Sequence, residues 1–195
     1  MGAQSRGILA VVSGPSGVGK GTVCRHLCET DARMALSVSA TTRKPRPHEQ
    51  EGKHYYFLAV EDFLARRAAG EFLEWAEVYG NYYGTLRSHV QECLNADKDV
   101  ILEIDTQGAM QIRSACPEAV FIFLLPPSLA ELQRRICGRA ADSEESIKLR
   151  LSQAEYEMSL AEEYEHHIVN HTVGQAAAEL AAVLIAERRR RREGE

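Results

Sequence analysis

One short segment restricts the fold of this chain more than any other. Residues 14–20 read GPSGVGK, which matches the phosphate-loop pattern GxxxxGK. The segment follows an aliphatic run, ILAVVS at residues 8–13, and precedes apolar positions at helical spacing. Its glycines let consecutive backbone N–H groups turn towards one anion, and Lys20 can reach the outer phosphates of a nucleotide. The alternative, a glycine-rich turn with a chance lysine, leaves the flanking strand and helix unexplained.

The residue after this lysine departs from the pattern. Ser or Thr usually stands there and offers its hydroxyl to Mg²⁺. Here the position is Gly21, and Thr22 follows one place later. We therefore expect Thr22 to contact phosphate or a metal-bound water.

Apolar runs alternate with helical patterns along most of the chain. The runs VILEI (100–104) and AVFIFLL (119–125) lack polar alternation, so they suit strands buried on both faces of a parallel sheet. Weaker strands are predicted at residues 36–41 and 168–170, and a long Ala-rich helix from about residue 175. A capping box from Ser128 to Glu131 opens the helix after the third run. Such alternation predicts an α/β fold with a parallel sheet.

Two segments interrupt the alternation. Residues 43–98 hold a Pro-rich loop, many aromatic residues and a Gly-Asn turn between β-prone runs, which predicts an inserted β-rich lobe. Residues 138–146 are polar and short-chained, as expected of a flexible lid. The length favours one domain over residues 1–195. We expect a core of residues 7–42, 99–137 and 165–190, the lobe at about 43–98 and a lid region at about 138–164.

Composition and charge exclude several classes of function. The net charge is −5, and without residues 188–195 the chain keeps 18 basic and 26 acidic residues, which does not suit binding of a nucleic acid polymer. Five scattered cysteines form no CxxC pair, and no apolar run is long enough for a membrane span. We expect a cytoplasmic protein. The run Arg188–Arg192 suits the negative end of the last helix, with a polyanion-binding tail as the alternative.

A basic loop points to the second substrate. Residues 37–47 read SVSATTRKPRP, where hydroxyls and cations can hold a phosphate dianion, although a solvated basic loop is the alternative for this segment alone. Together with GPSGVGKGT, EGKHYYF, EFLEWAEVYGNYYGT, VILEIDTQGA and FLLPPS, in this order, the chain resembles the guanylate kinase family over about residues 8–185. The resemblance implies a P-loop kinase fold with a lobe for the nucleoside monophosphate and a lid. It also implies Mg²⁺-dependent transfer of the terminal phosphate of ATP to GMP, and by extension dGMP, in purine nucleotide metabolism.

The resemblance assigns a GMP site in the lobe. Guanine presents N1–H and its amine as neighbouring donors, for which the Glu74 carboxylate is a natural acceptor, whereas adenine opposes it with an unprotonated N1. Without the resemblance, Glu74 could be an exposed strand charge, and the tyrosines could be core aromatics. The positions that match guanine-reading residues are Glu74, Thr85 and Asp105, and those that match phosphate-holding residues are Ser39, Arg43, Arg46, Tyr55 and Tyr83.

The resemblance also assigns the ATP site and the catalytic cations. Phosphoryl transfer depends on alignment and on neutralising charge, so lysine and arginine are the expected catalytic residues: Lys20, Arg135, Arg139 and Arg150. For Mg²⁺ the candidates are Thr22, and Glu103 or Asp105 acting through water; the family often has Asp at position 103. The positions that match ATP-binding residues are Gly14, Pro15, Ser16, Gly17, Val18, Gly19, Lys20, Gly21, Thr22 and Asn170.

Two other functions stay open at this point. A guanylate-kinase-like protein-interaction domain keeps the fold without catalysis, and its usual mark is a degraded phosphate loop, whereas Gly14, Gly19 and Lys20 are intact here. A related P-loop kinase acting on another phosphorylated small molecule is the second. Glu74, together with Thr85 and Asp105, favours guanine over that alternative.

Overall fold

The structure is a computed structural model that describes residues 7–78, 80–137 and 144–193. The strands are β1 (Leu9–Ser13), β2 (Met34–Leu36), β3 (Ser39–Thr41), β4 (Tyr56–Phe57), β5 (Phe72–Val78), β6 (Asn81–Leu86), β7 (Asp99–Glu103), β8 (Val120–Leu125) and β9 (His166–Val169). The helices are α1 (Lys20–Thr30), α2 (Val60–Ala68), α3 (Arg87–Asn95), α4 (Thr106–Ala115), α5 (Leu129–Cys137), α6 (Glu144–Ser159) and α7 (Val173–Glu193).

A five-stranded parallel sheet forms the centre, in the order β2-β7-β1-β8-β9. The strand before the phosphate loop is therefore the middle strand, with Val11 opposite Leu102 on one side and Phe121 on the other. All five residues of β1 are buried, as expected for a strand covered on both faces. The predicted parallel α/β fold and its three strong strands are confirmed.

Alternate residues of β1 pack into two separate cores, one on each face of the central sheet. Ala10 and Val12 lie in a cluster with Leu27 of α1 and Leu180 of α7, whereas Val11 belongs to a cluster on the opposite face. That second cluster includes Phe121, Phe123, Val90 of α3 and Ile112 of α4. Helices on both faces hold the central sheet, and with it the strand ends that carry the phosphate loop, in a fixed position.

The β-rich lobe has its own sheet, in the order β4-β3-β6-β5, and its own small core around Phe63, Phe72 and Leu86. The single strand predicted at residues 36–41 is wrong, because the chain forms two strands there. β2 joins the central sheet beside β7, whereas β3 pairs with β6 of the lobe. Ser37 and Val38, between them, carry the chain from one sheet to the other.

The ends of several helices agree with the sequence patterns or modify them. Ser128 caps α5, because its Oγ accepts a hydrogen bond from the Glu131 amide at 3.1 Å. The last helix includes the arginine run, yet Arg188 is buried and bound to Asp99, so this arginine is part of the core rather than of a solvated tail. Among the described residues, every helix is too short or too polar to cross a bilayer.

Candidate active site

The phosphate loop lies between the carboxyl end of β1 and the first residue of α1. Its glycines at 14, 17 and 19 all have positive φ, between 85° and 149°. At Gly14 a Cβ would lie 2.3 Å from the Leu124 carbonyl oxygen, and at Gly19 it would lie 2.7 Å from Asn170 Nδ2. Both positions require glycine for their conformation and for the close approach of a neighbour. The first turn of α1 directs its backbone N–H groups at the loop, which favours an anion.

Lys20 is folded back over this loop. Its Nζ donates to the Gly14 carbonyl oxygen at 2.5 Å, and Lys20 lines a cavity of about 650 Å³. That cavity is also lined by Ser16, Gly17, Gly19, Gly21, Thr22, Arg25, Tyr55, Glu103, Arg135, Asn170, His171, Thr172 and Val173. Most of the predicted ATP-binding positions thus surround one space. Arg25, which the sequence analysis did not single out, lies three residues after Thr22 on the same face of α1.

The Val18 carbonyl oxygen accepts hydrogen bonds from two of the predicted site residues. It accepts from Asn170 Nδ2 at 2.8 Å and from Arg135 Nη1 at 3.2 Å. Arg135 is further held by Glu131, whose Oε1 accepts from Nε at 2.8 Å. The Val18 side chain is fully buried in the core, so only its backbone faces the loop. Asn170 and Arg135 therefore support the phosphate loop as well as lining its cavity.

One of the predicted catalytic arginines, Arg150, lies on α6. Arg150 of α6 donates from Nη2 to Ser16 Oγ at 3.2 Å, so it reaches the phosphate loop. Arg139 and the predicted lid residues 138–143 lie outside the described residues. Glu157, also on α6, accepts from the Ser16 amide at 3.0 Å and was missed by the sequence analysis. Its partner lies 141 residues away in sequence, so no local pattern signals this contact.

Glu74 is the buried carboxylate of the lobe, with only 5% of its surface exposed. Its Oε1 accepts from Thr85 Oγ1 at 2.6 Å, while Oε2 faces Gly108, where a Cβ would lie 2.8 Å away. Burial raises its pKa to about 7, and the nearby Asp105 adds to the increase, whereas the Thr85 hydrogen bond opposes it. A carboxylate so placed can accept two donors from a flat ring.

Asp105 follows β7 by two residues and is the N-cap of α4. Its Oδ1 accepts from the Gly108 amide at 2.8 Å, which fixes the carboxylate beside Glu74. The two acids share a cavity of about 200 Å³ with Ser39, Tyr55, Ala76, Val78, Tyr83, Gly84, Glu103 and Ile104. Thr85 is fully buried behind Glu74, so it orients the carboxylate.

Of the predicted phosphate-holding residues, Ser39, Tyr55 and Tyr83 line this cavity, whereas Arg46 lines a neighbouring cavity together with Glu49. Arg43 Nη2 donates to both Glu49 oxygens, at 2.8 and 2.9 Å, and the Arg46 amide donates to Oε2 at 2.8 Å. The Arg43 bonds, the largest influence, lower the pKa of Glu49 to about 2. Tyr55 and Tyr83 pack edge to face with ring centroids 6.1 Å apart. Glu49 was missed, although an acid three residues after Arg46 in a stiff basic loop is a usable signal.

Tyr55 and Glu103 join the separate parts of the site. Both line the phosphate-loop cavity, the Glu74 cavity and a third cavity of about 340 Å³ that contains Ser39, Arg46 and Glu49. Burial raises the pKa of Glu103, while Lys20 and Arg25 lower it. The spaces beside the phosphate loop and beside Glu74 therefore meet at one tyrosine and one carboxylate.

The oxygen atoms of Glu103 and Thr22 beside the phosphate loop fit Mg²⁺, which binds through one or two carboxylates together with substrate phosphates and water. Gly21 leaves room for the Glu103 carboxylate beside the first turn of α1, and Thr22 lines the same cavity. Among the described residues, no group of three or more His, Cys, Asp or Glu has the arrangement of a closed metal site.

A glycine loop at the end of the middle strand of a parallel sheet, with a second cavity in an inserted lobe, defines a P-loop kinase fold. The family model for guanylate kinase matches residues 6–187. The guanylate kinase of Clostridioides difficile (strain 630) is 48% identical over 183 residues, covering 94% of this chain and 89% of that protein. The guanylate kinase of Thermosynechococcus vestitus is 55% identical over 164 residues, covering 84% and 86%.

A solved structure agrees with these relatives. The crystal structure of guanylate kinase from Anaplasma phagocytophilum superposes with a TM-score of 0.77 at 36% identity, covering 95% of this chain and 88% of that one. The chain belongs to the guanylate kinase family.

Proposed function

We propose that this chain transfers the terminal phosphate of ATP to GMP, and to dGMP, yielding ADP and GDP. The observation that carries the proposal is Glu74, a carboxylate 5% exposed in a cavity that meets the phosphate-loop cavity at Tyr55 and Glu103. Such an acid accepts hydrogen bonds from guanine N1–H and N2 and opposes the unprotonated N1 of adenine. Family membership supports the same reaction.

The acceptor site combines base reading with phosphate binding. Glu74, oriented by Thr85 and flanked by Asp105, reads the guanine edge. The GMP phosphate is held by Ser39, Arg43, Arg46, Tyr55 and Tyr83. In this arrangement the Glu49 carboxylate orders Arg43, which keeps this partner while it donates other N–H groups to the phosphate. That phosphate is already an anionic nucleophile, so no general base is needed.

The donor site is the phosphate loop with its cations. The loop amides and Lys20 hold the ATP phosphates, and Arg135, Arg139 and Arg150 neutralise charge on the transferring group. Thr22 and, through water, Glu103 or Asp105 would hold Mg²⁺, which would supply charge neutralisation at the ATP phosphates. Asn170 lines the same cavity, and its match to a family position near the adenine supports a role in binding ATP.

The proposed division of the chain follows from these roles. A core of residues 7–42, 99–137 and 165–190 carries the donor site, the lobe at about 43–98 carries the acceptor site, and residues 138–164 form the lid. Closure of lobe and lid excludes water, which otherwise competes with GMP for the phosphoryl group. We also propose a cytoplasmic location, where ATP and GMP are available.

An acceptor assay tests the proposal. Release of ADP is coupled to NADH oxidation, with GMP, dGMP, AMP, CMP or UMP as acceptor. We expect rapid turnover with GMP and dGMP and slow turnover with the others. Lys20→Ala should abolish turnover with every acceptor, whereas Glu74→Ala should mainly raise the KM for GMP. Absence of GMP-dependent ADP release by the wild-type protein would refute the proposal.

A further inference from the structure

Ser16 of the phosphate loop is bound at two of its atoms by one helix. From α6, Arg150 Nη2 donates to Ser16 Oγ at 3.2 Å. From the same helix, Glu157 Oε2 accepts from the Ser16 amide at 3.0 Å. One residue of the loop thus meets a cation and an anion of α6 at once.

The spacing of the two side chains explains how this is possible. Arg150 and Glu157 are seven residues apart, which is two helical turns, so they share one face of α6. Glu155, two residues before Glu157, is exposed and lies on a different face of the helix. Contact with the loop is therefore specific to the face that carries Arg150 and Glu157.

The surroundings of Glu157 suit a carboxylate that binds a backbone amide. The side chain is half-buried, which raises its pKa, while Lys20 and the Ser16 hydrogen bond lower it. An amide that donates to an ionised acceptor forms a charge-assisted bond, stronger than a bond to a neutral group. Glu157 therefore holds α6 against the loop at a defined point.

We propose that Glu157 is a positioning residue that holds α6 against the phosphate loop and thereby fixes the position of Arg150. Glu157 touches the loop backbone, so it acts through Arg150 rather than on the phosphates. This inference rests on the proposed function for the role of Arg150 in phosphoryl transfer. The contact between α6 and the loop is a property of the protein alone and is measurable without turnover.

Amide hydrogen exchange of Ser16, followed by NMR without nucleotide, tests the contact between α6 and the loop. Glu157→Ala removes the acceptor, and we expect Ser16 to exchange about tenfold faster or more. Glu157→Gln keeps a carbonyl acceptor and should retain most of the protection. Glu155→Ala is the matched control on the same helix and should exchange like the wild type. Unchanged Ser16 exchange in Glu157→Ala would overturn the proposal, whether or not the protein phosphorylates GMP.

A double-mutant cycle with Arg150 tests the consequence for catalysis. Glu157→Ala should lower kcat about tenfold with the KM for GMP nearly unchanged, and should lower it no further in an Arg150→Ala background. Equal losses in both backgrounds would show that Glu157 acts independently of Arg150 and would contradict the inference. If Glu157→Ala has a lowered Tm, Glu157→Gln carries the test, with a kcat close to that of the wild type as the expected result.

Discussion

The carboxylate of Glu103 fills the space that a side chain at position 21 would need. A Cβ built on Gly21 would lie 2.8 Å from Glu103 Oε1 and 2.9 Å from Oε2. Phosphate loops usually carry Ser or Thr at this position. In this chain the long Glu103 side chain occupies the space that Gly21, which has no side chain, leaves open. The residues at positions 21 and 103 therefore depend on each other.

We expect Gly21→Ser to displace the Glu103 carboxylate and to lower kcat/KM for Mg·ATP about tenfold. Glu103→Asp shortens the acid by one methylene, so the Gly21→Ser/Glu103→Asp double variant should regain most of this loss. Steady-state kinetics at varied Mg²⁺, with Glu103→Asp alone as the reference, measures the coupling. A Gly21→Ser protein as active as the wild type would argue against the dependence.

Glu74 should make GMP use depend on pH. Its pKa of about 7 means that the ionised acceptor is lost as the pH falls from about 8 to about 6, so kcat/KM for GMP should fall with it. Glu74→Gln should have a lower kcat/KM and keep only the pH dependence that the GMP phosphate itself contributes. Matching profiles for both proteins would contradict the assignment of the pKa.

The same raised pKa predicts that the contribution of Glu74 to the free energy of unfolding falls as the pH rises, whereas kcat/KM for GMP rises. Because the folded-state pKa lies above the usual value of 4.5, folding favours the protonated acid. The free energy of unfolding of the wild type, relative to Glu74→Gln, should therefore fall as the pH rises from about 4.5 through about 7. Urea denaturation at several pH values measures this; a relative stability that rises over this range would contradict the prediction.

Glu49 should matter for GMP rather than for ATP. It orders both Arg43 and the backbone at Arg46, so Glu49→Ala should raise the KM for GMP about five- to tenfold with the KM for ATP nearly unchanged. Glu61→Ala, an exposed acid on α2, is the matched control. A lower KM for GMP in Glu49→Ala would show that Glu49 acts mainly as a competitor of the phosphate.

Asp99 and Arg188 form a buried pair that ties the C-terminal helix to β7. Asp99 is 2% and Arg188 8% exposed, and Asp99 Oδ1 accepts from Arg188 Nη2 at 2.5 Å and from the Ile8 amide at 2.7 Å. Asp99→Ala leaves the buried guanidinium with the exposed Asp97 carboxylate, 3.3 Å from Nη1, so we expect the free energy of unfolding to fall by about 2–3 kcal/mol in urea denaturation. Glu71→Ala, which breaks the exposed pair with Arg66, should change it by less than about 1 kcal/mol.

The phosphate loop and the central strands were predictable because their signals are local. The spacing from Gly14 to Lys20 and the uninterrupted apolar runs require no knowledge of distant residues. The split of residues 36–41 was not predictable in this way, since β-propensity indicates a strand but not which of two sheets it joins.

The candidate site shows the same limit. The resemblance supplied Glu74 and Arg43, but Glu157 gains its role from a loop far away in sequence, and Arg188 of α7 gains its own from Asp99 on a distant strand, β7. Their neighbours in sequence suggest only charged helix surfaces. Contacts of this kind are set by packing of the helices on the central sheet.

The shared wall formed by Tyr55 and Glu103 bears on the design of inhibitors for a site with two nucleotides. A compound that joins two nucleosides must pass its linker along this wall. An anionic linker there faces the Glu103 carboxylate but also Lys20, Arg25 and Arg135, which line the same cavity and compensate its charge. Bisubstrate compounds for this site should therefore keep negative charge on the linker next to these cations and place an acceptor for the Tyr55 hydroxyl beside Glu103.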